Sequence, residues 1–355
     1  MTSTGFLIDG WASARPSGIR GMNLGGSLGG LRTGSNVLQQ LIVHGGTAWA
    51  FVLAWQRGVT WIDLTSFALF YALTGLGASL GLHRLFSHRS FEAVPWLHAA
   101  LAVLASMCMQ GSPARWATDH QRHHAYSDRP GDPHSPHVGP LGERLSKWRG
   151  LYHAHWGWMF NGVTTDKAVF GRQTWGDPVL RRISNTHYLW IAAGLALAWL
   201  YGWLLGGTRE AALTAMLWGG PVRACLMMHG VLSATSIAHR FGDKQFRVGD
   251  ESRNNWIVVL LTFGDGWHNN HHRFPRSARH GLLPAEIDIS GSIIDLFERA
   301  GLVRNVVRIP PPQVQSALAS GPVKALQIRS DRLPGRPGKT GRNLHHHYAM
   351  QEDER

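Results

Sequence analysis

Cysteine is scarce in this chain of 355 residues, which has only two such residues, Cys108 and Cys225. Both lie inside apolar segments, and two such cysteines exclude a disulfide framework and a cysteine-based zinc site. Residues 1–36 also lack the apolar core of a signal peptide. Acidic residues are outnumbered, with 22 Asp and Glu against 35 Lys and Arg, and the net charge of +13 indicates an anionic partner or surface.

Tryptophan and histidine are plentiful instead, with 16 and 21 residues. The tryptophans accompany long uncharged runs, a combination that favours lipid over nucleic acid as the partner. A mean hydropathy of −0.13 is low for a protein with several membrane spans. Because polar termini and a polar insert dilute this average, the spans have to be located individually.

Four uncharged runs are long enough to cross a bilayer, since about 19 helical residues span about 28 Å. They lie at about 38–56, 64–82, 185–207 and 213–238, and short links join them into two hairpins. Residues 1–37 then form a polar N-terminal segment, and 38–305 form the membrane domain. The tail 306–355 is rich in Pro, Gly and Arg and is predicted to be disordered.

Charge asymmetry predicts the orientation of these spans. The insert 83–182 is rich in Lys and Arg, whereas each short link carries one Arg. The positive-inside rule then places the insert, residues 239–305 and both termini in the cytoplasm, as expected for a bacterial cytoplasmic membrane. Residues 93–114 are also uncharged and could form a fifth span. We predict that they lie along the interface instead, because a crossing would separate His83 and His88 from His120.

The histidines form three motifs: HRLFSH with His83 and His88, HQRHH with His120, His123 and His124, and HNNHH with His268, His271 and His272. In a helix, positions i, i+3 and i+4 share one face, so each HxxHH motif is predicted to present three imidazoles towards one point. His83 and His88 would lie about 140° apart on an α-helix. That separation would suit two neighbouring ions or a frayed helix end.

Eight imidazoles are too many for one zinc ion, which takes four ligands in a structural site and three in a catalytic one. Imidazole suits iron, copper, zinc and nickel. Beside lipid, so many neutral ligands indicate oxidation of a hydrocarbon. A methylene C–H bond has no acidic proton and no carbonyl to polarise, and its cleavage requires an oxidant that two irons can generate from dioxygen.

At these motifs the chain resembles the membrane fatty acid desaturase family, in particular its Δ9-type acyl-CoA desaturases. The similarity runs from about 38 to 305 and rests on GLHRLFSHRSF, WATDHQRHHAYSDRPGDPHSP and FGDGWHNNHHRFPRSARHG. It implies two iron ions bound by nine histidines, the eight above and His239 after the last span. The family has an Asn that holds an iron-bound water where this chain has Thr235, so the surroundings of one iron are expected to differ.

The resemblance also implies substrate contacts. Trp116 and Gln110 match residues at the bend of the family's acyl tunnel. The alternatives are that Trp116 is an interfacial anchor and that Gln110 is a solvent-facing amide. Val231 and Leu232 replace a Thr-Trp pair of the tunnel wall, which predicts an altered chain-length or positional preference. Asp265 could orient a ligand imidazole or be a surface carboxylate.

Four further polar residues stand out in the sequence. His134 and His137 are predicted to shape a loop or support a ligand rather than bind metal. His229 and Arg223 lie within the fourth span, where a buried polar group is a functional candidate, although Arg223 could also extend to the headgroups.

The predicted fold is an all-α membrane protein with four transmembrane helices in two hairpins and a cytoplasmic helical lobe that carries the di-iron site. The predicted reaction is oxygen-dependent desaturation of a saturated acyl chain on CoA or a lipid, with no catalytic residues beyond the metal ligands. Its partners are then the acyl substrate, dioxygen, membrane lipid and a separate electron donor such as ferredoxin, cytochrome b5 or a flavoprotein reductase. The alternatives are a lipid hydroxylase or alkane monooxygenase and, in another class, a histidine-rich metal transporter, whose ligands would lie at mid-membrane.

Overall fold

A computed structural model of the protein describes residues 15–321, which are mostly helical. The α-helices are α1 (Gly26–Arg57), α2 (Trp61–Leu76), α3 (Pro95–Met107), α4 (Pro113–Tyr126), α5 (Lys147–His155), α6 (Lys167–Phe170), α7 (Arg172–Gly176), α8 (Pro178–Asn185), α9 (His187–Gly206), α10 (Arg209–Leu217), α11 (Arg223–Ser236), α12 (Trp256–Leu261), α13 (His268–Arg273), α14 (Ile289–Arg299) and α15 (Pro311–Ala319). Two π-helical segments continue α2 and α10, namely Gly77–Ser87 and Trp218–Val222, and a 3₁₀ turn covers Gly157–Phe160.

The strands are short and pair segments that lie where loops begin or end. β1 (Arg15–Pro16), β2 (Met22–Leu24) and β4 (Thr164–Thr165) form an antiparallel sheet in the order β1-β2-β4. β3 (Glu92–Ala93) pairs antiparallel with β5 (Val303–Arg304), with Glu92 opposite Arg304. The second pairing ties the C-terminal part of the described chain to the segment that follows the first histidine motif.

The prediction of four apolar helices long enough to cross a membrane is confirmed: they are Gly29–Arg57, Trp61–Ser87, His187–Gly206 and Arg209–Ser236. The first helix begins at Gly26 rather than at 38. Its polar first turns are helical because their side chains bind other segments. Arg32 donates to the Val163 carbonyl, and Asn36 Nδ2 donates to the Met159 carbonyl at 2.7 Å.

The links and faces of the spans follow from local chemistry. Gly58, at φ 80°, ends α1, and Thr60 and Asp63 then form a capping box that starts α2. Large apolar side chains on α1 and α9, such as Trp55 and Leu204, are exposed, as expected of a lipid-facing surface. The alternative that Arg223 extends to the headgroups is wrong, because this side chain is buried and its Nε donates to the Gly219 carbonyl at 2.8 Å.

The segment 93–114 contains the 13-residue helix α3, about 20 Å long and shorter than the roughly 30 Å hydrocarbon core. It packs against the Gly77–Ser87 π-helix and against α9. Gly77 allows the close approach, since a Cβ there would overlap the backbone at Leu104. The histidines before and after α3 lie together, with His88 Nε2 2.8 Å from His120 Nε2.

The prediction of disorder from residue 306 onward is wrong for the start of the tail. Helix α15 buries Val314 and Ala317 in a cluster with Phe246 and Phe274. The prediction of disorder missed this short apolar helix face because Pro, Gly and Arg dominate the composition around it. The remainder of the predicted disordered tail lies outside the described residues.

Candidate metal centre

The structure brings the nine predicted histidines together in two groups of converging nitrogens. The five-histidine group consists of His83, His88, His120, His124 and His271. The four-histidine group consists of His123, His239, His268 and His272. Within each group the candidate ligand atoms lie within 4.8 Å of one another. Each group is therefore compact enough to surround one ion.

The π-helix explains why His83 and His88 belong to the same group. The expectation that they would serve two neighbouring ions rested on α-helical geometry, in which they lie about 140° apart. Residues Gly77–Ser87 are π-helical, and the His88 amide donates to the His83 carbonyl at 3.2 Å. Because this i→i+5 bond widens the turn, residues five apart are brought close to one face.

Each HxxHH motif contributes to both groups, which corrects the prediction that it points three imidazoles to one place. On α4, His120 and His124 join the five-histidine group, and His123 joins the other. On α13 the assignment is the opposite one. His268 and His272 join the four-histidine group, and His271 joins the five-histidine group. The reason is that i and i+4 lie about 40° apart, whereas i+3 lies about 60° to the other side of i.

Carboxylates orient four of these imidazoles through Nδ1. The pairs are His83–Asp265 at 3.1 Å, His123–Asp132 at 3.0 Å, His239–Asp128 at 2.8 Å and His272–Asp250 at 2.7 Å. An ionised carboxylate only accepts hydrogen bonds, so each Nδ1 carries the proton. Each Nε2 is then a free lone pair in the neutral ring, which is the arrangement that metal-binding histidines require.

The spacing of the Nε2 atoms fits metal ions. Neighbouring Nε2 atoms in the five-histidine group are 2.8–3.1 Å apart. In the four-histidine group, His268 Nε2 lies 3.0 Å from His239 Nε2 and 3.1 Å from His272 Nε2. Imidazole binds transition metals at about 2 Å, so two ligands at right angles around one ion are about 3 Å apart. His123 Nε2 is buried without a hydrogen-bond partner, as expected of an atom reserved for an ion.

Burial and crowding keep most of these rings neutral. Burial first, and then neighbouring imidazoles, hold the pKa well below its usual value in His88, His120, His124, His268 and His271. Neutral imidazole is the form that binds metal. At His239 burial also lowers the pKa, but the Asp128 carboxylate outweighs it and raises the pKa to about 9. Binding of an ion at His239 therefore releases a proton.

The two asparagines of HNNHH hold α13 in place. The Asn269 side-chain oxygen accepts from the backbone N–H groups of Gln245 and Phe246 at 2.8 and 2.6 Å. Asn270 donates to Glu286 at 2.8 Å and to the His280 carbonyl at 2.9 Å. This six-residue helix is too short to be stable alone, so these buried bonds fix the direction of its histidines.

A narrow internal cavity reaches His120 of the five-histidine group. The four predicted substrate residues, Gln110, Trp116, Val231 and Leu232, line it, and so does Thr235, which was predicted to lie beside a bound water. Trp116 stacks on the His120 ring with centroids 4.9 Å apart and an interplanar angle of 17°. The alternative of a solvent-facing amide at Gln110 is wrong, since its Nε2 is buried without a partner.

The remaining predicted positions have well-defined contacts. The Thr235 hydroxyl lies 3.0 Å from the Leu232 carbonyl and 3.3 Å from that of Ala154. Asp265 is buried rather than a surface carboxylate, and it accepts from Ser79 as well as from His83. His137 Nε2 donates to the backbone carbonyl of His239 at 2.8 Å and thereby supports its loop.

Sequence reasoning missed three carboxylates: Asp128, Asp132 and Asp250. Asp128 and Asp132 lie within the matched segment SDRPGDPHSP, a few residues after His124, so proximity to the motif could have identified them. Asp250 has no such signal, because a loop distant in sequence carries it to His272. His280 was missed as well. It groups with His83 and Asp265, and burial holds its pKa at about 4.

Four apolar helices and two groups of buried imidazoles define a membrane-associated protein with a centre that could hold metal ions. The family model described as "Fatty acid desaturase" matches residues 60–286, and the chain belongs to this family. It is therefore an oxidoreductase that introduces a double bond into a fatty acyl chain. The metal-transporter alternative is not supported by this membership.

Relatives cover most of the chain. It is 37% identical over 278 residues to the hex-5-enoyl-[acyl-carrier protein] acetylenase of Moorena producens, covering 78% of this chain and 87% of the relative. It is 34% identical over 275 residues to the sn-1 stearoyl-lipid 9-desaturase of Anabaena variabilis, covering 76% and 92%. The Delta-9 acyl-lipid desaturase 2 of Arabidopsis thaliana is 34% identical over 251 residues, covering 70% and 75%.

Proposed function

We propose that the protein is a Δ9-type acyl desaturase that binds one iron in the five-histidine group and one in the four-histidine group. The observation that carries this proposal is the convergence of Nε2 lone pairs beside the cavity that Trp116 lines. Two irons, when bound, supply an oxidant made from dioxygen and two electrons. The balance is one acyl –CH2–CH2– unit, one O2, two electrons and two protons, converted into a cis –CH=CH– unit and two waters.

The residues of the chain then position the acyl substrate and need not act as acids or bases. Trp116, stacked on His120, forms one wall, and the apolar side chains of Val231 and Leu232 form another. These walls hold one methylene pair towards the histidine groups, and misplacement by about 1 Å can cost about 100-fold in rate. We assign Thr235 to a bound water, with a shorter reach than an asparagine would have.

A second part of the cavity lining is polar, which supports an amphiphilic substrate. It includes Arg32, Asn36, Gln39 and Arg115. Burial lowers the pKa of Arg115 to about 10, so its guanidinium remains charged at neutral pH. CoA and acyl carrier protein carry a phosphate at the far end of the pantetheine arm that bears the acyl chain, and phospholipids carry one in the headgroup, so a cationic guanidinium suits their shared chemistry.

We place both termini and the histidine groups on the cytoplasmic side, because the long insert 83–182 carries most of the loop cations. A separate electron donor, such as ferredoxin, cytochrome b5 or a flavoprotein reductase, would then approach from that side. The two short links, at Gly58 and Thr208, would face outwards.

The test is expression in a host that lacks its own desaturase, followed by gas chromatography–mass spectrometry with double-bond mapping. We expect a new cis-9 monoene, which His271→Ala abolishes. A hydroxylated acid in place of the alkene would assign the protein to the lipid hydroxylases. Membranes supplied with stearoyl-CoA, stearoyl-acyl carrier protein or stearoyl phospholipid distinguish the carriers by which pool becomes unsaturated.

A further inference from the structure

A third group of metal-binding side chains lies apart from the two histidine groups described above. The His44 group consists of His44 on α1 with Cys225 and His229 on α11, and their ligand atoms lie within 4.8 Å of one another. His44 Nε2 is 3.2 Å from His229 Nε2. Trp156 stacks on the His44 ring with centroids 5.0 Å apart and holds it in place.

The hydrogen bonds of His44 determine which of its nitrogens carries a proton. Nδ1 lies 3.0 Å from the Gln40 carbonyl oxygen. A carbonyl only accepts hydrogen bonds, so Nδ1 must be the donor. In the neutral ring, Nε2 is therefore a lone pair, and it points at His229.

A longer chain of bonds determines the proton on His229. The Ser236 hydroxyl donates to the Leu232 carbonyl at 2.7 Å, so its oxygen accepts from His155 Nδ1 at 2.9 Å. His155 Nε2 is then a lone pair, and it accepts from His229 Nδ1 at 2.9 Å. His229 Nε2 is consequently a lone pair as well.

In this arrangement two imidazole lone pairs face each other at 3.2 Å, and a cation between them would remove their repulsion. The same distance suits two nitrogens bound to one transition metal ion. The third member of the group, Cys225, offers a thiolate, and thiolate with imidazole selects soft or borderline ions such as Cu⁺ and Zn²⁺.

Charge decides between these two ions. Among the described residues, the His44 group includes no carboxylate. Replacing the Cys225 thiol proton with Cu⁺ forms one S–Cu bond, releases one H⁺ and leaves the charge of the site unchanged. Zn²⁺ would add one uncompensated positive charge within two membrane-spanning helices, where charge is costly.

We infer that His44, Cys225 and His229 form a Cu⁺ site, distinct from the nine-histidine centre. Ser236 and His155 are positioning residues, since they act only by orienting His229. This arrangement follows the rule seen at the main centre, where the partner of Nδ1 sets the direction of Nε2.

The test uses the iron-loaded full-length protein, titrated without oxygen with Cu⁺ against the chelator bicinchoninate. Copper X-ray absorption of the wild type should show one sulfur and two nitrogen neighbours, a readout that requires no variant. Cys225→Ser should lose the sulfur and weaken Cu⁺ binding at least about 100-fold. Ser236→Ala should weaken it by about 10–100-fold, the usual effect of removing a partner that orients a ligand.

Cys108→Ser is the matched control, because Cys108 is a buried thiol that donates to the Thr74 carbonyl instead. It should leave the Cu⁺ titration and the sulfur signal unchanged. Equal Cu⁺ binding by wild type and Cys225→Ser, or a copper spectrum without sulfur, would overturn the inference. The cation between the two imidazoles would then be a proton.

Discussion

Replacing Asp132 with asparagine tests how far the carboxylates control the metal centre. Asp132 is fully buried, and its two oxygens accept from His123 Nδ1 at 3.0 and 3.1 Å. One oxygen also accepts from the His134 amide at 3.0 Å, and the other from the Asp128 amide at 2.9 Å. Asparagine has a similar shape but only one accepting oxygen. Whichever way it turns, its NH2 group faces a backbone N–H.

The magnitude follows from these contacts. A buried donor without a partner costs about 1–3 kcal/mol of folding stability. Losing the carboxylate that orients a metal-binding histidine costs about 10–100-fold in metal affinity, or about 1.4–2.7 kcal/mol. Burial alone would raise the pKa of Asp132, but His123 outweighs burial and keeps the pKa well below its usual range. The wild-type residue is thus an anion at neutral pH, and Asp132→Asn removes that charge.

The assay is iron content after dialysis against a graded series of chelator concentrations, with double-bond formation measured on the same samples. Asp132→Asn should lose about one of two irons at chelator concentrations that leave the wild type loaded. Asp295→Asn is the control, because its carboxylate pairs with Arg279 and Arg308 on a partly exposed surface. If Asp132→Asn retained iron and activity like Asp295→Asn, the argument that this carboxylate orients His123 would be refuted.

Three further outcomes are expected. His123→Ala and His271→Ala, one from each group, should each abolish turnover and lower the iron content, and full iron in both would contradict the ligand assignment. Trp116→Ala should reduce turnover strongly or give a mixture of double-bond positions at unchanged iron content, because the wall beside His120 is lost, and a single wild-type product at the wild-type rate would contradict that role. Single cysteines introduced at Thr208 and His137 should be labelled from outside intact cells at Thr208 only, and labelling at His137 would contradict the orientation.

Much of the fold and of the metal centre could be predicted from the sequence. Apolar runs of bilayer length predict the four helices, since a helix has to be about as long as the hydrocarbon core to cross it. The spacing of HQRHH and HNNHH predicts that their imidazoles lie close together, because i, i+3 and i+4 are neighbours on a helix, but it does not predict that each motif serves both groups. The residues aligned with the family's tunnel, such as Trp116 and Gln110, were also found from sequence, and they line one cavity.

Which histidines share a group was decided only by tertiary structure. Spacing within one motif did not show that His123 belongs to a different group from His120 and His124. A π-helical turn brings His83 and His88 together, whereas an α-helix with the same sequence would separate them. Asp250 reaches His272 from a distant loop, and His44 reaches His229 across 185 residues. Such contacts depend on how helices pack, which residue spacing along one element does not record.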